Sequence, residues 1–111
     1  MTTLEEVERL VAQGREADDV LRGAVSILHE RLGCYVRISF VEVDGLVAGP
    51  AAGEEAETTA VRISFEGRHV ADLEAGVGLS AEDRALLERV AGLLAPYALV
   101  GWDTAGEAWA P

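Results

Sequence analysis

The stretch Cys34–Gly49, CYVRISFVEVDGLVAG, constrains the fold more than any other part of the chain. Val36, Ile38 and Phe40 alternate with Arg37 and Ser39, the period of a half-buried strand whose successive side chains leave on opposite faces. Asp44-Gly45 follows, a dipeptide suited to the positive φ angles of a two-residue hairpin turn. Leu46-Val47-Ala48 then returns as a second, short strand. The pattern recurs downstream. Thr59–Phe65 alternates, Glu66-Gly67 turns the chain, and Arg68–Ala75 comes back with His69, Ala71, Leu73 and Ala75 on one face. VRISF occurs in both hairpins, at Val36–Phe40 and Val61–Phe65. Duplication and independent convergence both account for it, and the unmatched flanks favour convergence. Between the hairpins, Pro50–Thr58 is small, acidic and without period, which predicts an exposed loop.

Helical spacing flanks this sheet region. Leu4, Val7, Leu10 and Val11 predict a first helix, with Thr3 offering an N-cap and Gly14 a stop. Glu5, Glu6 and Glu8 sit near the favourable end of its dipole. A second helix is expected over Ala17–Leu32, its stripe running from Val20 to Leu32, with Gly33 as the left-handed residue that ends it. The last opens at Ser80, with Asp83 placed to close a capping box, and carries an apolar face from Leu86 to Leu94. Pro96 removes a backbone donor, so the helix ends or kinks near Ala95, with Tyr97–Trp102 continuing beyond it.

The order helix, helix, hairpin, hairpin, helix predicts an α+β domain, an antiparallel sheet of about four strands packed against N-terminal and C-terminal helices. It is one domain over 1–102: a helical lead-in at 1–33, the sheet at 34–76 and the C-terminal helix at 80–102. A tail follows at 103–111, held by Trp102 or Trp109.

The chain has 111 residues, nine basic and twenty acidic, for a formal net charge of −11; every basic residue is arginine. Such a field disfavours phosphate backbones and anionic membrane surfaces, so neither nucleic acid nor a membrane is an expected partner. Cys34 is the only cysteine, which excludes an intrachain disulfide and a cysteine-based metal cluster. No apolar run is long enough to span a membrane, and the acidic start MTTLEEVERL does not resemble a signal peptide. A reduced, cytoplasmic setting is expected.

Candidate chemistry is sparse. Arg37 and Ser39 on one strand and Arg62 and Ser64 on another fall on the face away from the apolar residues. Guanidinium forks beside hydroxyls suit a small anionic ligand such as a carboxylate or phosphate. Asp72 and Glu74 are predicted on the same face, and the competing expectation is that they neutralise the arginines on a solvated surface. His29 suits the end of its helix, and His69 sits on the apolar side of its strand. Neither has metal-ligand spacing, Glu54, Glu55 and Glu57 supply too few fixed oxygens for a divalent ion, and no cofactor is implied. No serine lies in a nucleophile elbow. The helical stripes carry more apolar surface than four strands can cover, which predicts homodimerisation through helices.

The segments ILHERLGCYVRISFVEVDGLVAGPAAG and GRHVADLEAGVGLSAEDRALLERVAGLLAP resemble the opening and close of a GAF domain, a PAS-like module; the resemblance covers roughly Asp18–Pro96. It implies strand order 2-1-4-3, and a sensory role through small-molecule binding or subunit pairing by terminal helices. The long segment that covers the outer sheet face and forms the pocket in that family is reduced here to Pro50–Thr58. The chain also resembles the free methionine-sulfoxide reductases, stand-alone GAF domains that use a thiolate and a resolving thiol. That similarity implies Cys34 as nucleophile with no second cysteine to resolve it. The function expected is therefore a non-catalytic sensory or interaction module, with the Cys34 enzyme as the alternative.

Overall fold

The computed structural model describes residues 2–13 and 16–100, without the side chain of Val100. The expected stop at Gly14, the last two residues of the helical continuation, Gly101 and Trp102, and the tail at 103–111 lie outside the described residues.

Helix α1 spans Thr3–Ala12. Its N-cap is Thr2 rather than Thr3: Thr2 Oγ1 accepts from the Glu5 N–H at 3.1 Å, and the Glu5 carboxylate accepts from the Thr2 N–H at 2.8 Å. Thr3–Glu6 has the same spacing, so sequence alone leaves the two frames equal. What separates them is packing, since the frame that caps at Thr2 buries Thr3 and Val7 together. The backbone and side-chain hydrogen bonds from Thr2 hold the Glu5 carboxyl below its ordinary range. Helix α2 spans Ala17–Leu32 and ends as expected, with Gly33 left-handed at φ 69° and its N–H on the His29 carbonyl.

The sheet is antiparallel throughout, in the order β2-β1-β4-β3. Strands β1 (Val36–Glu42) and β2 (Gly45–Ala52) form the first hairpin. Its turn is Val43-Asp44, one residue earlier than expected, and only Gly45 takes a positive φ, at 122°. Strands β3 (Thr58–Phe65) and β4 (Arg68–Gly76) form the second. There Glu66 and Gly67 both take positive φ, the pairing that matches the twist of a tight hairpin.

Two register shifts reshape this lattice. Arg37 pairs with Ala51 but Ser39 with Ala48, so Gly49 and Pro50 together face Ile38. Strand β2 therefore continues past Pro50, where a loop was expected. A bulge on an edge strand is where a residue without an N–H can sit. Gly49 is required there, because a Cβ would come within 2.2 Å of the Phe40 ring. The second shift leaves Val70 extra in β4, so that Ser64 lies opposite His69. The expectation that His69 shares a row with Ala71, Leu73 and Ala75 is corrected by this bulge: its ring is turned onto Asp72.

The loop proper is only Gly53–Glu57, all exposed. It joins the two edge strands and so crosses the ends of β1 and β4. That is three strand spacings, about 14 Å, bridged by a connection that reaches at most about 20 Å when extended.

Helix α3 spans Ala81–Val100 and is capped by Ser80, whose Oγ accepts from the Asp83 N–H at 3.0 Å. Of the two outcomes expected at Pro96, an end or a passage into further helix, it takes the second and runs on to Val100. The carbonyl deprived of its donor belongs to exposed Gly92, where water can substitute. Helices α2 and α3 cover one face of the sheet, and α1 rests on both. Val36, Ile38, Ile63 and Leu73 meet Leu21, Leu28, Leu87 and Leu94 in the core, all fully buried. Among the described residues no element covers the other sheet face, and no helix is long and apolar enough to cross a membrane.

Candidate functional site: the open sheet face

Period-two alternation places Arg37, Ser39, Thr58, Ala60, Arg62, Asp72 and Glu74 on the open face, because their neighbours Val36, Ile38, Val61, Ile63 and Leu73 are drawn to the helices. The ladder sets them in rows. Arg37 stands opposite Glu74, which stands opposite Ala60; Ser39 stands opposite Asp72, which stands opposite Arg62.

Glu74 is the hub of this face. Although the face is open, its residue is only 6% exposed. Its carboxylate accepts from Arg37 Nη2 at 2.5 Å, from Ser39 Oγ at 2.5 Å and from Thr58 Oγ1 at 3.0 Å. Burial pushes the Glu74 carboxyl up, but the hydrogen bonds from Ser39, Arg37 and Thr58 and the charge of Arg37 outweigh it, and the group is held below its ordinary range. The bond to Glu74 in turn raises the Arg37 guanidinium further, against its own partial burial. Arg37 also lies over the Tyr35 ring, 5.8 Å from its centroid, and reaches Glu55 at 3.9 Å. Its Nε is buried without a partner.

The second acid, Asp72, is held by His69 Nε2 at 2.6 Å. Arg62 and Ser64 are exposed on β3, and the described residues show no ion pair to Arg62. The structure thus brings Arg37 and Ser39 together, on Glu74. It does not bring Arg37 next to Arg62, because β4 runs between them and presents both of its carboxylates there. A depression of about 300 Å³ opens over this row, floored by Ser39, Asp72 and Glu74 and rimmed by Leu46, Ala48 and Ala60. Thr58, the third donor, falls at the end of the stretch expected as a loop, although counting back by two from Arg62 reaches it.

Cys34 precedes β1 and is half-buried, its thiol against Gly76, where even a Cβ would come within 3.4 Å of it. Its carbonyl accepts from His29 Nδ1 at 2.7 Å, which ties the end of α2 to the start of the sheet. Among the described residues no group of three or more His, Cys, Asp or Glu is arranged to hold a metal.

Away from the sheet, a groove of about 840 Å³ runs between the three helices. Half-buried Leu4, Ile27 and Leu86 line its floor, and Glu30, Arg31, Glu82 and Arg89 line its sides.

No protein-family model matches the chain, and no curated protein matches it in sequence. Solved structures do. The GAF domain of an Acinetobacter phosphoenolpyruvate-protein phosphotransferase is similar with a TM-score of 0.74 and 9% identity, over 98% of this chain and 95% of that one. The free methionine-R-sulfoxide reductase of Neisseria meningitidis, solved in complex with its substrate, is similar at 0.73 and 20% identity, over 88% of each chain. The GAF domain of the Escherichia coli potassium sensor histidine kinase KdpD is similar at 0.65 and 13% identity, over 88% of this chain and 93% of that one. These likenesses extend over most of the chain, so that in its fold the chain is a GAF-like domain.

Proposed function

We propose that the chain is a non-catalytic sensory or interaction module, acting in the cytoplasm, that pairs with a second copy through its helices and offers its open sheet face to a small anionic ligand. The observation that carries the pairing is the groove between α1, α2 and α3. It leaves Leu4, Ile27 and Leu86 partly uncovered, and it is flanked by charges of both signs, so a two-fold axis can set Arg31 and Arg89 of one copy against Glu30 and Glu82 of the other. Light scattering on a size-exclusion column across dilution tests it. An oligomeric mass that falls by half or more on replacing Ile27 by Glu, with the melting temperature retained, is the expected result; a chain that is monomeric at every concentration, or one whose mass Ile27→Glu leaves unchanged, sinks the pairing.

For the ligand, Arg37, Ser39, Arg62 and Ser64 remain the proposed contacts. Arg37 and Ser39 are engaged by Glu74, so an anion would meet Arg62 and Ser64 first and reach Arg37 only by competing with Glu74. Small carboxylates and phosphates should raise the melting temperature, and Arg62→Ala should abolish the rise.

A second reading is favoured by the likeness to a reductase. Cys34 would attack a sulfoxide as thiolate, leaving a thioether and a cysteine sulfenic acid that an external thiol then reduces through a disulfide. Cys34→Ser separates the two: the module keeps its ligand response, whereas the enzyme loses all turnover.

A further inference from the structure

The first hairpin projects from the domain with an apolar surface that nothing described covers. Val43 is 101% exposed at its tip, Leu46 54%, Val47 44% and Val41 39%. Val41 and Leu46 face each other across the hairpin, and Val47 lies on the other face opposite Phe40. Exposed apolar residues scattered singly need no explanation, but four within seven positions of one hairpin, two of them on its edge strand, do.

The edge itself is unguarded. Natural edge strands are protected by charges, proline or bulges. Strand β3, at the other edge, carries Arg62 near its middle, whereas β2 is the one strand of the four with no charged residue. Its far half is protected by the Gly49-Pro50 bulge, but Gly45–Ala48 has no such device. The open stretch runs from the turn to the bulge, and Val47 lies within it.

We propose that this edge of β2 is a docking surface for the same strand of another copy of the chain, paired antiparallel about a two-fold axis at Val47. The choice of occupant rests on charge. Two copies that each carry −11 repel wherever their acidic surfaces meet, and a neutral strand is the contact that avoids this. Antiparallel pairing also sends the acidic tips, Glu42 and Asp44 of each copy, to opposite ends of the contact. Leu46 of one strand then stands opposite Ala48 of the other, Val47 opposite its own counterpart, and the two four-stranded sheets become one of eight. This surface lies on the sheet edge, away from the helical groove, and does not depend on it.

The test is cross-linking by engineered cysteines in a Cys34→Ser background under mild oxidation. A pair of residues directly opposed across an antiparallel ladder falls within disulfide range. Val47→Cys is therefore expected to give a covalent dimer readily. Val43→Cys, although more exposed, is expected to cross-link at least tenfold more slowly, because its two copies would be about 27 Å apart. Equal or faster cross-linking at Val43, or none at Val47 at any concentration, overturns the proposal. Leu46→Lys should slow the Val47 cross-link at least tenfold with unchanged melting temperature, and an unaltered rate overturns it as well. Repeating the experiment with Ile27→Glu separates the two surfaces: a persisting Val47 cross-link is expected, and its disappearance overturns an independent β2 contact.

Discussion

A carboxylate buried on a solvent-facing sheet is stable there only because donors replace the water it loses. Glu74 has three, from Arg37, Ser39 and Thr58. Glu74→Gln keeps the shape but removes the charge that holds Arg37, and a cost of about 2 kcal/mol is expected at neutral pH. The sign of the pH dependence follows from the lowered carboxyl. Glu74 starts from an ordinary value of 4.5 when unfolded and titrates lower when folded. Its stabilisation is thus complete above the unfolded value and is lost as pH falls through the folded one. Melting temperatures measured from about pH 6 to about pH 3 should fall more steeply for the native chain than for Glu74→Gln. That Asp72 and Glu74 share a face with Arg37 follows from alternation alone. Which acid takes Arg37 does not, because a two-residue slip of β4 along β1 would keep every side chain on its face and bring Asp72 there instead, and no turn joins these two strands to fix their register.

At the scale of elements, what could be read ahead was the part governed by periodicity. Val36/Ile38/Phe40 and Val61/Ile63/Phe65 announce two strands with one buried face, and the stripes of α2 and α3 announce what covers it. The departures all come from backbone events that periodicity does not encode. Pro50 looked like the start of a loop, yet a bulge lets β2 continue through it; His69 looked inward, yet one extra residue, Val70, turns it to Asp72. Pro96 allowed either an end or a kink near Ala95 with helix beyond it, and α3 does run on to Val100, because an exposed turn tolerates the missing bond. That turn makes a prediction. Gly92 is exposed within the helix, and a Cβ added there would meet nothing within 4 Å. Gly92→Ala should therefore stabilise the protein by about 0.5–1 kcal/mol, read as a rise of a few degrees in melting temperature.

At the scale of the whole molecule, the described helices gather on one side of the sheet and no described element covers the other, in a chain of net charge −11. Self-repulsion of that size works against both compactness and association. Raising the salt from about 0.05 M to about 0.5 M shortens the screening length from more than 10 Å to about 4 Å. The melting temperature should then rise by a few degrees, and the proposed pairing of copies should survive greater dilution in light scattering. The charge was evident from composition, and it constrains partners more than it constrains the fold. Between the hairpins the matter is one of length, since the few residues of that connection are too short to lie across the sheet face.

The same shortness makes the Gly53–Glu57 connection a taut strap. It ties opposite edges of the sheet, and removing Glu54 and Glu55 would leave a reach of about 13 Å for a span of about 14 Å. Such a deletion should stop the two hairpins from closing into one sheet, which loss of cooperative melting would reveal. Added length is a different matter. A graft between Glu55 and Ala56 gives slack where every residue is solvent-facing, and it emerges beside Arg37, on the rim of the bare side. The strap is thus the point at which this domain could acquire a roof without rebuilding its walls.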